Sequence, residues 1–79
     1  MWFVYIIRSE RDGKRYVGMS DDPERRLREH NAGFTKSTKG RRPFRIVYQE
    51  QFDSREEARE REKYFKAAAG RRFLKTIGK

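Results

Sequence analysis

The chain opens with six aromatic or aliphatic residues in succession, Trp2-Phe3-Val4-Tyr5-Ile6-Ile7. No polar residue interrupts them, which is the pattern of a strand covered on both faces and so of a central strand. A second apolar segment, Arg15-Tyr16-Val17-Gly18-Met19, follows Asp12-Gly13. An Asp-Gly pair between two such segments predicts a hairpin, because glycine takes a positive φ without a Cβ clash. Asp22-Pro23-Glu24 then supplies a capping carboxylate, a proline at the first helical position and an acidic first turn, so a short helix is expected to run to Asn31–Gly33. Residues 33–43 are mostly Gly, Lys, Arg, Ser and Thr and read as a basic, mobile loop closed by Pro43. Phe44, Ile46 and Tyr48 alternate with Arg45, Val47 and Gln49, the period of a third strand. Ser54 with Glu57 is a capping-box pair opening a helix to about Ala69, with Gly70 as its stop and a last short helix over Arg71–Ile77. The expected fold is α+β: a small three-stranded mixed or antiparallel sheet flanked by helices, in the order β-β-α-β-α-α.

Composition narrows the class. At 79 residues the chain reads as one domain over 1–79. Its hydrophobic fraction of 34% and charged fraction of 42% drift toward disordered composition, but eleven aromatic residues argue for a real core. With no cysteine and one histidine, His30, neither a disulfide framework nor a structural zinc site is expected. The apolar run at 2–7 is far short of the ~20 residues that span a bilayer, and no leader pattern precedes it, so a cytoplasmic protein is expected. The formal charge of +9 and a pI near 10.4 attract polyanions and point to nucleic acid as partner. Charge alone does not distinguish catalysis from binding, from ribosome association or from simple solubility.

Several residues look unusual for structure alone. On a helical wheel of about 100° per residue, Glu62 lies about 40° from Ala58 and borders the apolar stripe that also holds Phe65. Either it is an edge residue pairing with Lys66 at i+4, or its carboxylate is needed there. Arg26 and His30 share one helix face, which is an anion site or a solvated basic face alongside Arg25 and Arg28. Tyr5 and Tyr16 lie in paired strands, and each brings a hydroxyl that phenylalanine would not. Those hydroxyls meet solvent at the sheet edge or share a polar destination. Arg25, Lys36, Lys39, Arg41 and Arg42 are candidate nucleic-acid contacts, with a solvated loop as the plain alternative for those between 36 and 42.

Together these residues resemble the GIY-YIG nuclease superfamily. Phe3-Val4-Tyr5 stands in the place of the GIY triplet and, ten residues on, Tyr16-Val17-Gly18 in the place of YIG. The segment Asp22–Asn31 is similar to the helix carrying the family's arginine, and Glu57–Lys63 to the helix carrying its metal-binding glutamate. Within the superfamily the chain is most similar to small stand-alone bacterial members that share the Arg-x-x-x-His spacing. The resemblance implies hydrolysis of DNA phosphodiester bonds with one divalent ion, Mg2+ or Mn2+, held by Glu62. It further implies that Tyr5 and Tyr16 position or deprotonate the attacking water with His30 as a candidate relay base, leaving open which of the three is the general base, and that Arg26 neutralises the scissile phosphate. A structure-selective repair or recombination endonuclease acting on branched or flapped DNA is the expected role. The alternative is a basic nucleic-acid-binding module with the same fold and weak or partner-dependent cleavage. Phe3 departs from the family glycine, and Met19 stands where the related excision-repair domain is expected to carry lysine.

Overall fold

The structure of the protein, a computed structural model, describes residues 1–76. Strand β1 (Trp2–Ser9) lies between β2 (Arg15–Ser20) and β3 (Phe44–Phe52), and both pairings are antiparallel. Helices α1 (Pro23–Ala32) and α2 (Lys36–Lys39) come between β2 and β3, and α3 (Arg55–Lys66) and α4 (Ala68–Leu74) follow β3. The expected α+β architecture is present, with the sheet antiparallel throughout and one additional short helix.

Burial on both faces of β1 is as its composition dictates: Val4, Tyr5, Ile6 and Ile7 are all buried. Alternation sends them to different layers. Val4 and Ile6 join Val17, Ala58, Phe65 and Leu74 beneath α3 and α4, while Tyr5 and Ile7 pack with Phe44, Leu27, Tyr16 and Ile46 on the α1 side. The hairpin closes with Gly13 at φ 74°, its N–H donating to the Ser9 carbonyl at 2.9 Å. Asp22 caps α1 by accepting from the Arg25 N–H at 3.1 Å, and Ser54 caps α3 by accepting from the Glu57 N–H at 3.2 Å. Asn31 at the end of α1 exchanges two hydrogen bonds with the Phe44 backbone, at 2.7 and 3.1 Å, fixing where β3 begins.

Three expectations are corrected. The alternation in β3 is broken by a bulge: Ile6 pairs with Tyr48 but Ile7 with Ile46, leaving Val47 as the extra residue. Phe44 and Ile46 therefore face the α1 layer while Tyr48 packs edge-on against Phe65 and Phe73 in the opposite one. The basic segment 33–43 is not loop throughout, since α2 turns within it. The long helix ends at Lys66, with Ala67 extended at ψ 167°, and Gly70 lies inside α4 where a stop was expected. A Cβ at Gly70 would collide with the Tyr64 carbonyl oxygen and the Phe65 backbone, so glycine serves the close crossing of α4 over α3. That crossing stacks Phe73 on Phe65, with ring centroids 5.6 Å apart. The expected extension of the last helix to Ile77 lies outside the described residues.

Candidate active site

On the α1 side of the sheet, the ring of Tyr5 lies across its β2 partner Gly18. A Cβ at Gly18 would stand 2.5 Å from the Tyr5 hydroxyl oxygen and 2.6 Å from Cζ, so only glycine leaves room for a phenol in this position. A glycine within a strand is itself a signal of such an approach, and it gives this residue a role beyond its place in a triplet.

The Tyr5 hydroxyl reaches His30 Nε2 at 3.2 Å, and His30 is fully buried. Its Nδ1 lies 2.8 Å from the Thr38 hydroxyl, which in turn donates to the Thr35 carbonyl at 3.3 Å. A hydroxyl has one proton to give, so Thr38 accepts from Nδ1–H, and Nε2 is left with a lone pair that accepts from Tyr5. The tautomer follows from this network. Burial, reinforced by the nearby Arg26 charge and opposed by Glu29, pushes the His30 pKa below its usual value and keeps the ring neutral. Tyr16, half-buried, sets its ring edge-on to His30 at 5.1 Å.

Arg26 is one turn before His30 on α1, with a side chain 31% exposed and an ion pair to Glu29. Its positive charge also acts on the Tyr5 phenol. Burial works against its charge, but the Glu29 and Tyr5 partners outweigh it and hold the Arg26 pKa above the ordinary value. Burial raises the Tyr5 pKa, Arg26 counters it, and the charges of Tyr16 and Glu62 add to the rise. Glu62, on α3, is thus felt by the phenol although its helix packs the other face of the sheet.

The Glu62 side chain is 17% exposed and pairs with Lys66 at 3.5 Å, so the i+4 contact expected of an edge residue is present. An i,i+4 pair with so exposed a lysine is weak, ~0.3–0.5 kcal/mol, and easily displaced. No group of three or more His, Asp or Glu capable of holding a metal exists among the described residues. A single, mostly buried carboxylate whose charge reaches Tyr5 still fits a hard divalent ion of the magnesium kind, which keeps most of its water and is held by one or two carboxylates together with substrate phosphate.

The structure brings Tyr5, Tyr16, Arg26 and His30 together with Glu62 in electrostatic reach. The candidate nucleic-acid residues stay outside this cluster. Arg25 pairs with Asp21 at 3.0 Å and with Glu29 at 3.7 Å, and Arg41 lies 3.8 Å from Asp12. Arg42 donates to the Lys39 carbonyl at 2.8 Å, and Lys36 and Lys39 are exposed on α2. The same helix buries Thr38. Thr38 was not legible beforehand: it has lysines on both sides and no apolar periodicity around it.

Residues 1–75 match the model of the GIY-YIG catalytic domain. A UPF0213 protein of Staphylococcus saprophyticus is 42% identical over 95% of this chain and 92% of its own length. One from Staphylococcus aureus is 40% identical over the same shares. The solution NMR structure of a UPF0213 protein from Bacillus halodurans superposes with a TM-score of 0.57 at 36% identity, covering 96% of this chain and 84% of that one. With a family model spanning nearly all of the chain and relatives matched over most of their length, the protein belongs to the GIY-YIG catalytic domain family of nucleases.

Proposed function

We propose that this protein, acting as a single domain, is an endonuclease that hydrolyses DNA phosphodiester bonds with Mg2+ or Mn2+ held at Glu62, on branched or flapped DNA of the kind met in repair and recombination in the cytoplasm. The observation that carries this reading is the oriented chain from Tyr5 through His30 to Thr38, with the Arg26 charge acting on the phenol that begins it.

Each side chain then has a task that its surroundings support. The exposed portion of Arg26 receives the scissile phosphate and offsets the charge that builds on it. Half-buried Tyr16 positions the attacking water. Tyr5 takes a proton from that water as it passes its own to the lone pair of His30 Nε2, and Thr38 steadies the imidazolium that forms. When bound, the divalent ion supplies positive charge for the departing 3′ oxygen. Glu62 provides the carboxylate for that ion, with Lys66 displaced. Arg25, Lys36, Lys39, Arg41 and Arg42 engage flanking phosphates.

The test is incubation of the protein with labelled flap, forked, junction, duplex and single-stranded DNA in Mg2+, Mn2+ or EDTA. Cleavage of one or more branched substrates with metal and none in EDTA is expected. Binding of every substrate with cleavage of none would return the chain to a binding module.

A further inference from the structure

Phe34 is the one residue of the α1–α2 connection whose chemistry neither the core nor the site uses. The residue is 77% exposed. The backbone beneath it is nevertheless fixed: Gly33, at φ 86°, donates to the His30 carbonyl at 3.1 Å, and the Phe34 N–H donates to the Glu29 carbonyl at 3.0 Å. This is the Schellman pattern, in which an apolar residue at the Phe34 position ordinarily packs back on the last turn of the helix. Here that turn offers Arg28 and Glu29, so the ring has nothing apolar to cover it. A Cβ built on Gly33 would lie 2.9 Å from Arg42 Nη1 and 3.6 Å from Lys39 Cγ, which puts two cationic side chains against the residue preceding Phe34. Lys36 follows two residues later, exposed.

An aromatic ring on a fixed backbone just past the end of α1, next to a residue that two cations approach, is a combination with which proteins hold single-stranded nucleic acid: bases stack on the ring while cations take the phosphates. We propose that Phe34 is a stacking platform for an unpaired base of the DNA substrate, with Lys36, Lys39 and Arg42 on the adjoining phosphates. The inference rests on the DNA-cleaving reading and deepens it, since it selects substrates that carry an unpaired strand beside the cut, forks and flaps over blunt duplex. Single Phe rings at a protein surface are common. What distinguishes this one is the rigid mount and the two cationic side chains against the residue before it.

The test is binding in EDTA, without turnover, of single-stranded, forked and blunt duplex DNA carrying 2-aminopurine, by wild type, Phe34→Leu and Phe34→Tyr. Leucine keeps the apolar character and removes the π-face; tyrosine keeps both. Phe34→Leu is expected to lose about tenfold in affinity for single-stranded and forked DNA, with duplex binding unchanged. Quenching of 2-aminopurine is expected with wild type and Phe34→Tyr and not with Phe34→Leu. Wild-type affinity for all three substrates in Phe34→Leu, or an equal loss on duplex, would overturn the proposal. Cleavage by wild type in Mg2+ is scored separately: stacking without cleavage refutes the nuclease reading alone, and cleavage without stacking refutes this inference alone.

Discussion

Gly18 and Tyr5 are a single unit, because the phenol occupies the space in which any other residue at position 18 would carry its Cβ. Gly18→Ala must move the Tyr5 ring, and with it the hydroxyl that meets His30. Overpacking of a buried ring costs ~1–3 kcal/mol. The expected outcome is a destabilisation of that size by urea titration together with a fall in kcat of about 100-fold or more, the fall expected when a proton-transfer geometry is lost. Wild-type kcat in Gly18→Ala would show that the Tyr5 hydroxyl has no part in the chemistry. His30 makes a separate prediction. Its folded pKa lies below the unfolded value of ~6.5, so the unfolded chain binds the extra proton first, and stability rises with pH. The contribution is complete above pH ~6.5 and is lost as the pH falls below that value toward the folded pKa. The urea midpoint is expected to drop between pH 7.5 and 5.5 in wild type, and this slope is expected to flatten in His30→Gln. An unchanged slope would remove His30 as its source. His30 could be singled out in the sequence by its spacing from Arg26, but its buried neutral state depends on Thr38, which arrives on α2 and carries no signal of its own.

At the level of elements, what local chemistry decides was legible and what packing decides was not. Asp22, Pro23 and Ser54 set helix starts through their own hydrogen bonds and φ preference, and the apolar run of β1 needs cover on both faces wherever it lies. The bulge at Val47 is invisible in an alternating pattern because it depends on the register between β3 and β1. Its effect is to turn Tyr48 into the aromatic cluster with Phe65 and Phe73. Gly70 resembles a helix stop from sequence because glycine commonly plays that part, yet here it permits two helices to touch. Gly70→Ala separates these cases. A stop outside any close contact would tolerate alanine, whereas the crossing of α4 over α3 forces the helices apart. The melting temperature is expected to fall by about 4–8 °C for each of the ~1–3 kcal/mol that overpacking costs. An unchanged or raised melting temperature would contradict the close crossing.

Across the whole molecule, a strongly basic chain with few apolar residues still encloses two small cores, one on each face of the sheet. Aromatic rings carry much of that enclosure, which is why composition alone placed the chain near the disordered range while the fold is well defined. No helix among the described residues is long and apolar enough to cross a membrane. The net charge attracts polyanions over the entire surface, and its contribution falls with added salt. The proposed chemistry belongs to the place where α1, β1 and β2 bring the two tyrosines, Arg26 and His30 together, with Glu62 of α3 in electrostatic reach. That constellation was legible because its members recur at family spacing; the roles of Gly18 and Thr38 emerged only from the packed structure. In the proposed reaction Glu62 supplies the carboxylate for the divalent ion that cleavage requires. The most direct test is cleavage of labelled forked DNA in Mg2+ and Mn2+ by wild type and by Glu62→Gln, with DNA affinity measured alongside. A loss of roughly 100-fold or more in cleavage rate, on the scale of removing one transition-state stabilising group, is expected with DNA affinity retained. Metal-dependent cleavage at the wild-type rate by Glu62→Gln would contradict the account.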